Sequence, residues 1–374
     1  MGGLLNLVKS CDVGSMPLKG RRYEFLEGAK RSQTLTQYTG YGEGFSYVKV
    51  FEDQVVSGLM DKMRAGIDVP TYPQYRDMDE MFLGMINGLT KTPKGYMASG
   101  KLSVEPGKMI PEVYAVRNHL SEVSEASSVG KVGLKVCVTG PYTLSRSFAA
   151  RTPELFTELG GLLSEVTSNS IFKAKRGETA LVSIDEPAFG LADDPFLDVG
   201  HSGRECLRKA WEEVSYAAKS RGVETMIHLH STVDSLMWEV GKLDIIGSHV
   251  SDPVYGAATN RLLAETGKRL SISVATTSFE ELLARDAETP EDVGHLWERI
   301  RRGETDPSTY LEGAQVIADR LSRSLRLFGE ENVPYAGPEC GLGGFPTYEC
   351  AIQYLERISR VVKHTNVDKS NTHS

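Results

Sequence analysis

Short β-branched runs alternate with longer segments of helical period along the whole chain, and this alternation restricts the fold more than any other feature. It is the pattern of a parallel sheet covered by helices, because each strand must be followed by a crossover long enough to return the chain to the same edge. The runs number eight, near Asp12 to Gly14, Ile67 to Thr71, Gly133 to Thr139, Ala180 to Ile184, Glu224 to His230, Leu243 to Ser248, Leu270 to Ala275 and Val333 to Gly337. Between them the clearest helical segments are Pro153 to Lys173, Gly203 to Ser220, Pro307 to Phe328 and Thr347 to Lys363. Eight such units in 374 residues predict an α/β chain folded as one (β/α)8 TIM barrel over 1–374. An N-terminal helical extension falls within 1–66, since the stretch from Arg21 to Gly66 is long for one crossover. In such a barrel the chemistry sits at the C-terminal ends of the strands.

Composition narrows the function. With 40% hydrophobic residues the chain can bury a large core. A net charge of −8 argues against nucleic acid as a partner. There is no apolar run of membrane-spanning length, and MGGLLNLVKSCDVGSMP lacks the regions of a secretory signal, so a cytoplasmic protein with no membrane partner is expected. MGGLLN also has Asn6 where a myristoylation signal carries Ser or Thr. Five scattered cysteines without a CxxC pair predict reduced thiols, with Cys137 and Cys206 structural. Gly40, Gly42 and Gly44 in "GYGEGFS" do not form a dinucleotide fingerprint and read as turn residues. The polar stretch 364–374, with His364 and His373, reads as a frayed tail.

The strand ends carry the chemistry-bearing side chains: Ser15, Gln74, Asp185 with Glu186, His228 with His230, His249, and Cys340. In "TMIHLHST" the two histidines stand two apart, so on a strand both point to one face, with Thr232 following at the loop. Two imidazoles and the thiolate of Cys340, in "YAGPECGLGG", make a three-ligand zinc site with one open position. The alternative is a pair of barrel histidines that hydrogen-bond internally and bind nothing. "LVSIDEPAF" ends an apolar strand with two acids followed by a rigid Pro187. Carboxylates there can hold a substrate amine or act as a general base, or else cap a helix.

Five stretches in order resemble the catalytic barrel of the cobalamin-independent methionine synthase family and its shorter relatives. "VGSMP" resembles the family's GSFP turn, "KVCVTGPYT" its TGPVT loop, "SIDEPAF" its IDEPAL, "IHLHS" its IHTHMC and "GPECGLGGFP" its NPDCGLKTRGWP. The resemblance implies a zinc-dependent transfer of a methyl group to a thiol of the homocysteine type, in a (β/α)8 barrel. By position, His230 and Cys340 match zinc ligands, Thr232 stands in place of a ligand Cys, and His249 in place of a ligand Glu. Asp185 matches the residue that binds the homocysteine amine, Ser15 a substrate contact, and Gln74 replaces a Glu that meets the same amine. All three replacements remove negative charge, which favours a different thiol or a better leaving group. His228 is a further possible ligand.

The donor that the resemblance implies is a methyl-folate or, as in short relatives, methylcobalamin on a corrinoid protein. "LSRSF" carries no Trp where the family places an aromatic over the folate. Competing expectations are thiol alkylation of the coenzyme M type, on an epoxide or on methylcobalamin, and a homologue without metal that binds corrinoid or thiol and catalyses nothing. A uroporphyrinogen decarboxylase-like reading needs arginines gathered in the mouth, whereas only scattered arginines such as Arg76 and Arg146 stand near strand ends.

Overall fold

The computed structural model describes residues 7–32, 43–127, 130–287 and 289–372. Gly40, Gly42 and His373 therefore lie outside the described residues. The strands are β1 (Lys9–Ser10), β2 (Ile86–Thr92), β3 (Gly95–Val104), β4 (Val132–Thr139), β5 (Gly177–Glu186), β6 (Glu224–Leu229), β7 (Ile245–Gly247), β8 (Arg269–Ala275) and β9 (Tyr335–Pro338). Seven of them form one parallel sheet in the order β1-β9-β8-β7-β6-β5-β4.

The eighth stave of the barrel is the stretch 67–74, which joins the two edges. It pairs through isolated parallel bridges, Cys11 with Val69, Ser15 with Gln74, and Thr71 with Lys135. Val69 donates to the Ser10 carbonyl at 3.0 Å and Lys135 to the Pro70 carbonyl at 2.9 Å. The run expected at Ile67 to Thr71 is thus in place, but as bridges rather than as a ladder. Pro70 and Pro73 lack the N–H groups a ladder needs. The ladder of the first strand with β9 occupies only Lys9–Ser10, and Asp12 to Gly14 continues beside the stave between the Cys11 and Ser15 bridges, with Gly14 at φ +136°.

Strand residues alternate between two environments. Val182 and Ile184 join the large apolar layer beneath the helices. Leu181, on the opposite face, joins a small separate cluster with Cys11, Val69, Met226, Ile245 and Tyr335. That cluster plugs the barrel interior below the polar residues of the mouth, as the period of two requires.

Helices Pro153–Ser170 and Ser202–Lys219 follow β4 and β5 and cover their outer faces. Thr152 caps the first by accepting from the Leu155 N–H, with Pro153 at its first position. The extension is the helical hairpin expected from its length, Arg22–Ser32 against Glu43–Arg64. Its helices meet at Gly28, where a Cβ would lie 2.1 Å from the Tyr47 carbonyl oxygen, so only glycine permits that approach. Gly44 lies within the second helix, not in a turn.

Three elements differ from expectation. The antiparallel hairpin β2–β3 was not anticipated, because "INGLTKTPKGYMASGKLSV" is largely exposed and has no apolar run to mark it. The helix expected from Pro307 begins at Ala314, after a 3₁₀ turn at Pro307–Tyr310. The last helix runs Tyr348–Thr372, into the stretch expected to be the tail. Asn366 holds it to the barrel floor, its side chain donating to the Val8 carbonyl at 2.8 Å and accepting from the Val8 N–H at 3.3 Å.

Candidate functional site

Strand pairing assembles the site. His228 on β6 lies in register with Asp185 on β5 and Gly247 on β7, and His230 follows two residues on, toward the mouth. His249 stands two residues past β7 and Cys340 two past β9. The four side chains converge: one donor atom from each of His228, His230, His249 and Cys340 lies within 4.8 Å of every other. The Cys340 Sγ is 3.3 Å from His230 Nε2, and the His230 and His249 ring centroids are 4.0 Å apart.

Electrostatics keeps these groups neutral. Burial, with the neighbouring His249 as a second cause, lowers His230 to about 4. Burial also takes His228 well below its ordinary value and lowers His249, although Glu339 and Asp252 oppose the latter. Each imidazole therefore offers a lone pair at neutral pH. Burial pushes the Cys340 thiol up to about 12, so the protein alone does not supply a thiolate. His228 Nε2 and His249 Nε2 are buried without a hydrogen-bond partner among the described residues. A buried imidazole nitrogen left unpaired costs about 1–3 kcal/mol. Imidazoles with such unpaired nitrogens, in one group with a thiol and a third imidazole, fit a thiophilic, borderline metal ion.

Thr232 is turned elsewhere. Its hydroxyl contacts the Asp252 carboxylate and accepts from the Val254 N–H at 3.2 Å, and its own N–H donates to Asp252 at 2.9 Å.

Asp185 is 3% exposed, and both its oxygens are engaged. The Ser183 hydroxyl donates to Oδ1 and the Cys137 thiol to Oδ2, each at 2.7 Å. Burial raises its pKa, while the Lys135 ammonium acts in the opposite sense. Gln74 reaches the same cluster: its Nε2 donates to Tyr72 Oη at 3.4 Å. The Tyr72 hydroxyl in turn donates to the Cys137 carbonyl at 2.5 Å. Gln74 and Asp185 are thus linked by way of Tyr72 and Cys137, the latter a residue expected only to fill space.

Ser15 sits beneath the loop that follows β9. Its carbonyl accepts from the Leu342 N–H at 2.7 Å, and a Cβ on Gly341 would lie 1.9 Å from its Oγ.

Glu186 does not contact the imidazoles. Its carboxylate accepts from the Tyr142 and Thr143 N–H groups at 2.9 and 2.7 Å and from Trp211 Nε1 at 2.8 Å. It anchors the turn Pro141–Ser145 to the barrel wall, and burial pushes its pKa up to about 7 against those three donors.

Glu339 was missed in the sequence. It accepts from the Val250 N–H at 3.0 Å and the Thr277 N–H at 2.9 Å, tying the loop that bears His249 to the residue next to Cys340. Its only sequence signal was an acid directly before the Cys in "PEC". Arg76 is committed to Glu112 in a bidentate pair at 2.8 Å, which removes it from any arginine cluster in the mouth.

Residues 12–254 match the family model described as "Cobalamin-independent synthase, Catalytic domain". Cys340 lies beyond that span, and in the structure it stands beside the three histidines. A methionine synthase from Sulfolobus acidocaldarius is 24% identical over 312 residues, covering 82% of this chain and 79% of that one. A 5-methyltetrahydropteroyltriglutamate–homocysteine methyltransferase from Coxiella burnetii is 25% identical over 199 residues, 49% of this chain and 24% of the relative. A B12-independent methionine synthase from a Shewanella species, solved in complex with selenomethionine, superposes with a TM-score of 0.63 at 17% identity. That superposition covers 98% of this chain and 99% of the other, and it supports the barrel fold. No helix among the described residues is long and apolar enough to cross a membrane. With the family model spanning well over half the chain and the strand ends converging as a TIM barrel requires, the protein belongs to the cobalamin-independent methionine synthase family, by its catalytic domain, and is a methyltransferase of that family.

Proposed function

We propose that the protein transfers a methyl group to the sulfur of a small thiol of the homocysteine type, using zinc held by His230, His249 and Cys340, with a methyl-folate as donor. One observation carries the reading: three neutral imidazoles and a thiol converge at the barrel mouth with two partnerless nitrogens, close to a buried carboxylate. A bound zinc ion supplies positive charge that lowers the pKa of a thiol brought to it. The chain's own residues do the rest. Asp185, fixed by Cys137 and Ser183, takes the substrate ammonium, and Gln74 reaches the same pocket with an uncharged amide. Ser15, packed under Gly341, meets the polar end of the substrate. Cys340, whose thiol burial keeps protonated, would have to give up its proton to hold a metal, which would make loading pH-dependent. The relatives named for homocysteine and for a methyl-folate favour those partners, whereas a corrinoid protein has no such support.

The test begins with zinc per chain in the parent and in Cys340→Ala. Close to one equivalent in the parent with a clear loss in the variant is the expected result. Substoichiometric zinc after reconstitution, unchanged by the variant, would sink the proposal. A panel of homocysteine, cysteine and coenzyme M with methyl-folate, methylcobalamin and epoxypropane then identifies the pair that reacts. Turnover of homocysteine with methyl-folate supports this reading; turnover only of coenzyme M with an epoxide replaces it.

A further inference from the structure

We infer that His228, and not Thr232, is the fourth protein donor of this centre, so that the metal is held by three imidazoles and one thiolate. The inference rests on the metal reading above and specifies it further. His228 is 5% exposed, its Nε2 has no partner among the described residues, and that side chain belongs to the group whose donor atoms lie within 4.8 Å of one another. The two-residue spacing, with His228 on β6 and His230 just past its end, sends both toward the same face, with His228 one layer deeper in the barrel. Its ring centroid is 5.8 Å from that of His230 and 6.0 Å from that of His249, so the three rings surround one space.

Thr232 cannot serve in the same way. Its hydroxyl is bound to Asp252 and accepts from the Val254 N–H, and Asp252 also caps the turn Pro253–Tyr255 through the same N–H at 2.9 Å. Freeing the hydroxyl would undo that turn, and a neutral hydroxyl is not among the ordinary protein ligands of zinc. A divalent ion with a single thiolate leaves the centre with net positive charge, which attracts an incoming thiolate. Zinc can expand to five donors, so four protein ligands still admit the substrate sulfur.

The test is X-ray absorption at the zinc edge on the loaded protein, together with zinc affinity by competition with a chelator. The parent should show one sulfur and three imidazoles. His228→Gln should lose one imidazole and bind zinc at least ~10-fold more weakly. Thr232→Val should match the parent in both readouts. Two imidazoles in the parent, or a Thr232→Val variant that loses affinity while His228→Gln does not, would overturn the inference. The parent spectrum decides the donor count even if His228→Gln fails to fold. Failure of the parent to bind zinc at all would instead overturn the proposed function, and the inference with it, so the two failures are told apart.

Discussion

At the residue scale the site depends on how a few buried groups are held. Asp185 has its two oxygens fixed by Ser183 and Cys137 before any substrate arrives, which sets the direction in which the carboxylate presents its remaining lone pairs. Asp185→Asn removes the charge but keeps the shape. If the carboxylate takes the substrate ammonium, homocysteine binding should weaken by roughly 10- to 100-fold, since a hydrogen bond to a charged group contributes about 1.5–3 kcal/mol. A thiol of similar size without the amino group should bind parent and variant alike. Calorimetric titration of both thiols checks this, and equal loss for the two would show that the residue acts through packing. The histidine pair, Asp185 and Cys340 were legible in the sequence because their spacing, or the strand end each follows, announces them. Cys137 and Glu339 were not, because the partners that give them meaning come from strands and loops far away in the chain. Cys137 meets Asp185 only through the register of β4 on β5, in which Cys137 stands opposite Ser183.

At the scale of elements, the loop after β9 and the start of helix Ala314–Phe328 are the parts that a small change would disturb most. Gly341 follows Cys340 and lies against Ser15, where a Cβ would sit 1.9 Å from Oγ. Gly341→Ala must move the loop or the serine, at a cost of about 1–3 kcal/mol for overpacking. It should weaken zinc binding while circular dichroism stays that of the parent; unchanged zinc affinity would mean that the serine, not the loop, gives way. Glu312 lies between the preceding turn and the helix, with its side chain fully buried among Arg285, Arg320, Tyr354 and the Thr276 N–H. Burial works against its charge, but the Arg320 hydrogen bonds, the Thr276 N–H and Arg285 outweigh it and hold the carboxyl down to about 2. The stability this carboxylate contributes is therefore full above its ordinary value of 4.5 and is lost as pH falls toward about 2. Glu312→Gln should unfold more easily at neutral pH by about 1.5–3 kcal/mol, because it weakens the charged hydrogen bonds to two arginines that keep part of their surface in solvent. Its stability should also fall less steeply than the parent's over that acid window, as urea titrations at several pH values would show. Sequence periodicity located these elements and their order. It did not mark the β2–β3 hairpin, whose residues are mostly exposed, nor the late start of the helix at Ala314, which follows from the turn that Pro307 begins.

For the whole molecule the decisive feature is how the barrel closes. Alternating strands and helices made the (β/α)8 architecture legible, but not its seam, since the stave between β1 and β4 has two prolines and too few N–H groups for a ladder. Side chains supply what the backbone lacks. Asp12 accepts from the Thr71 N–H at 2.7 Å and from Lys62 Nζ at 2.7 Å. Lys62, with no exposed surface, also donates to the carbonyls of Gly14 at 2.9 Å and Thr71 at 3.1 Å, so its three protons have three acceptors. Lys135 crosses from β4 to the Asp12 carbonyl at 2.9 Å. One lysine from the N-terminal hairpin thus joins both sides of the seam, and Ser15 and Gln74 lie a few residues further along the same two stretches. Lys62→Met leaves Asp12 charged and buried without its cation, which should cost about 3–5 kcal/mol. The loss should be local before it is global: hydrogen exchange at Val69, Thr71 and Gln74 should speed up while β5 and β6 keep their protection. Adding Asp12→Asn to Lys62→Met removes the stranded charge and should recover part of the stability, because the cost lies in the unpaired carboxylate rather than in the missing lysine stem. Exchange that rises equally across the sheet, with no recovery in the double variant, would mean that Lys62 serves as packing and that the bridges alone close the barrel.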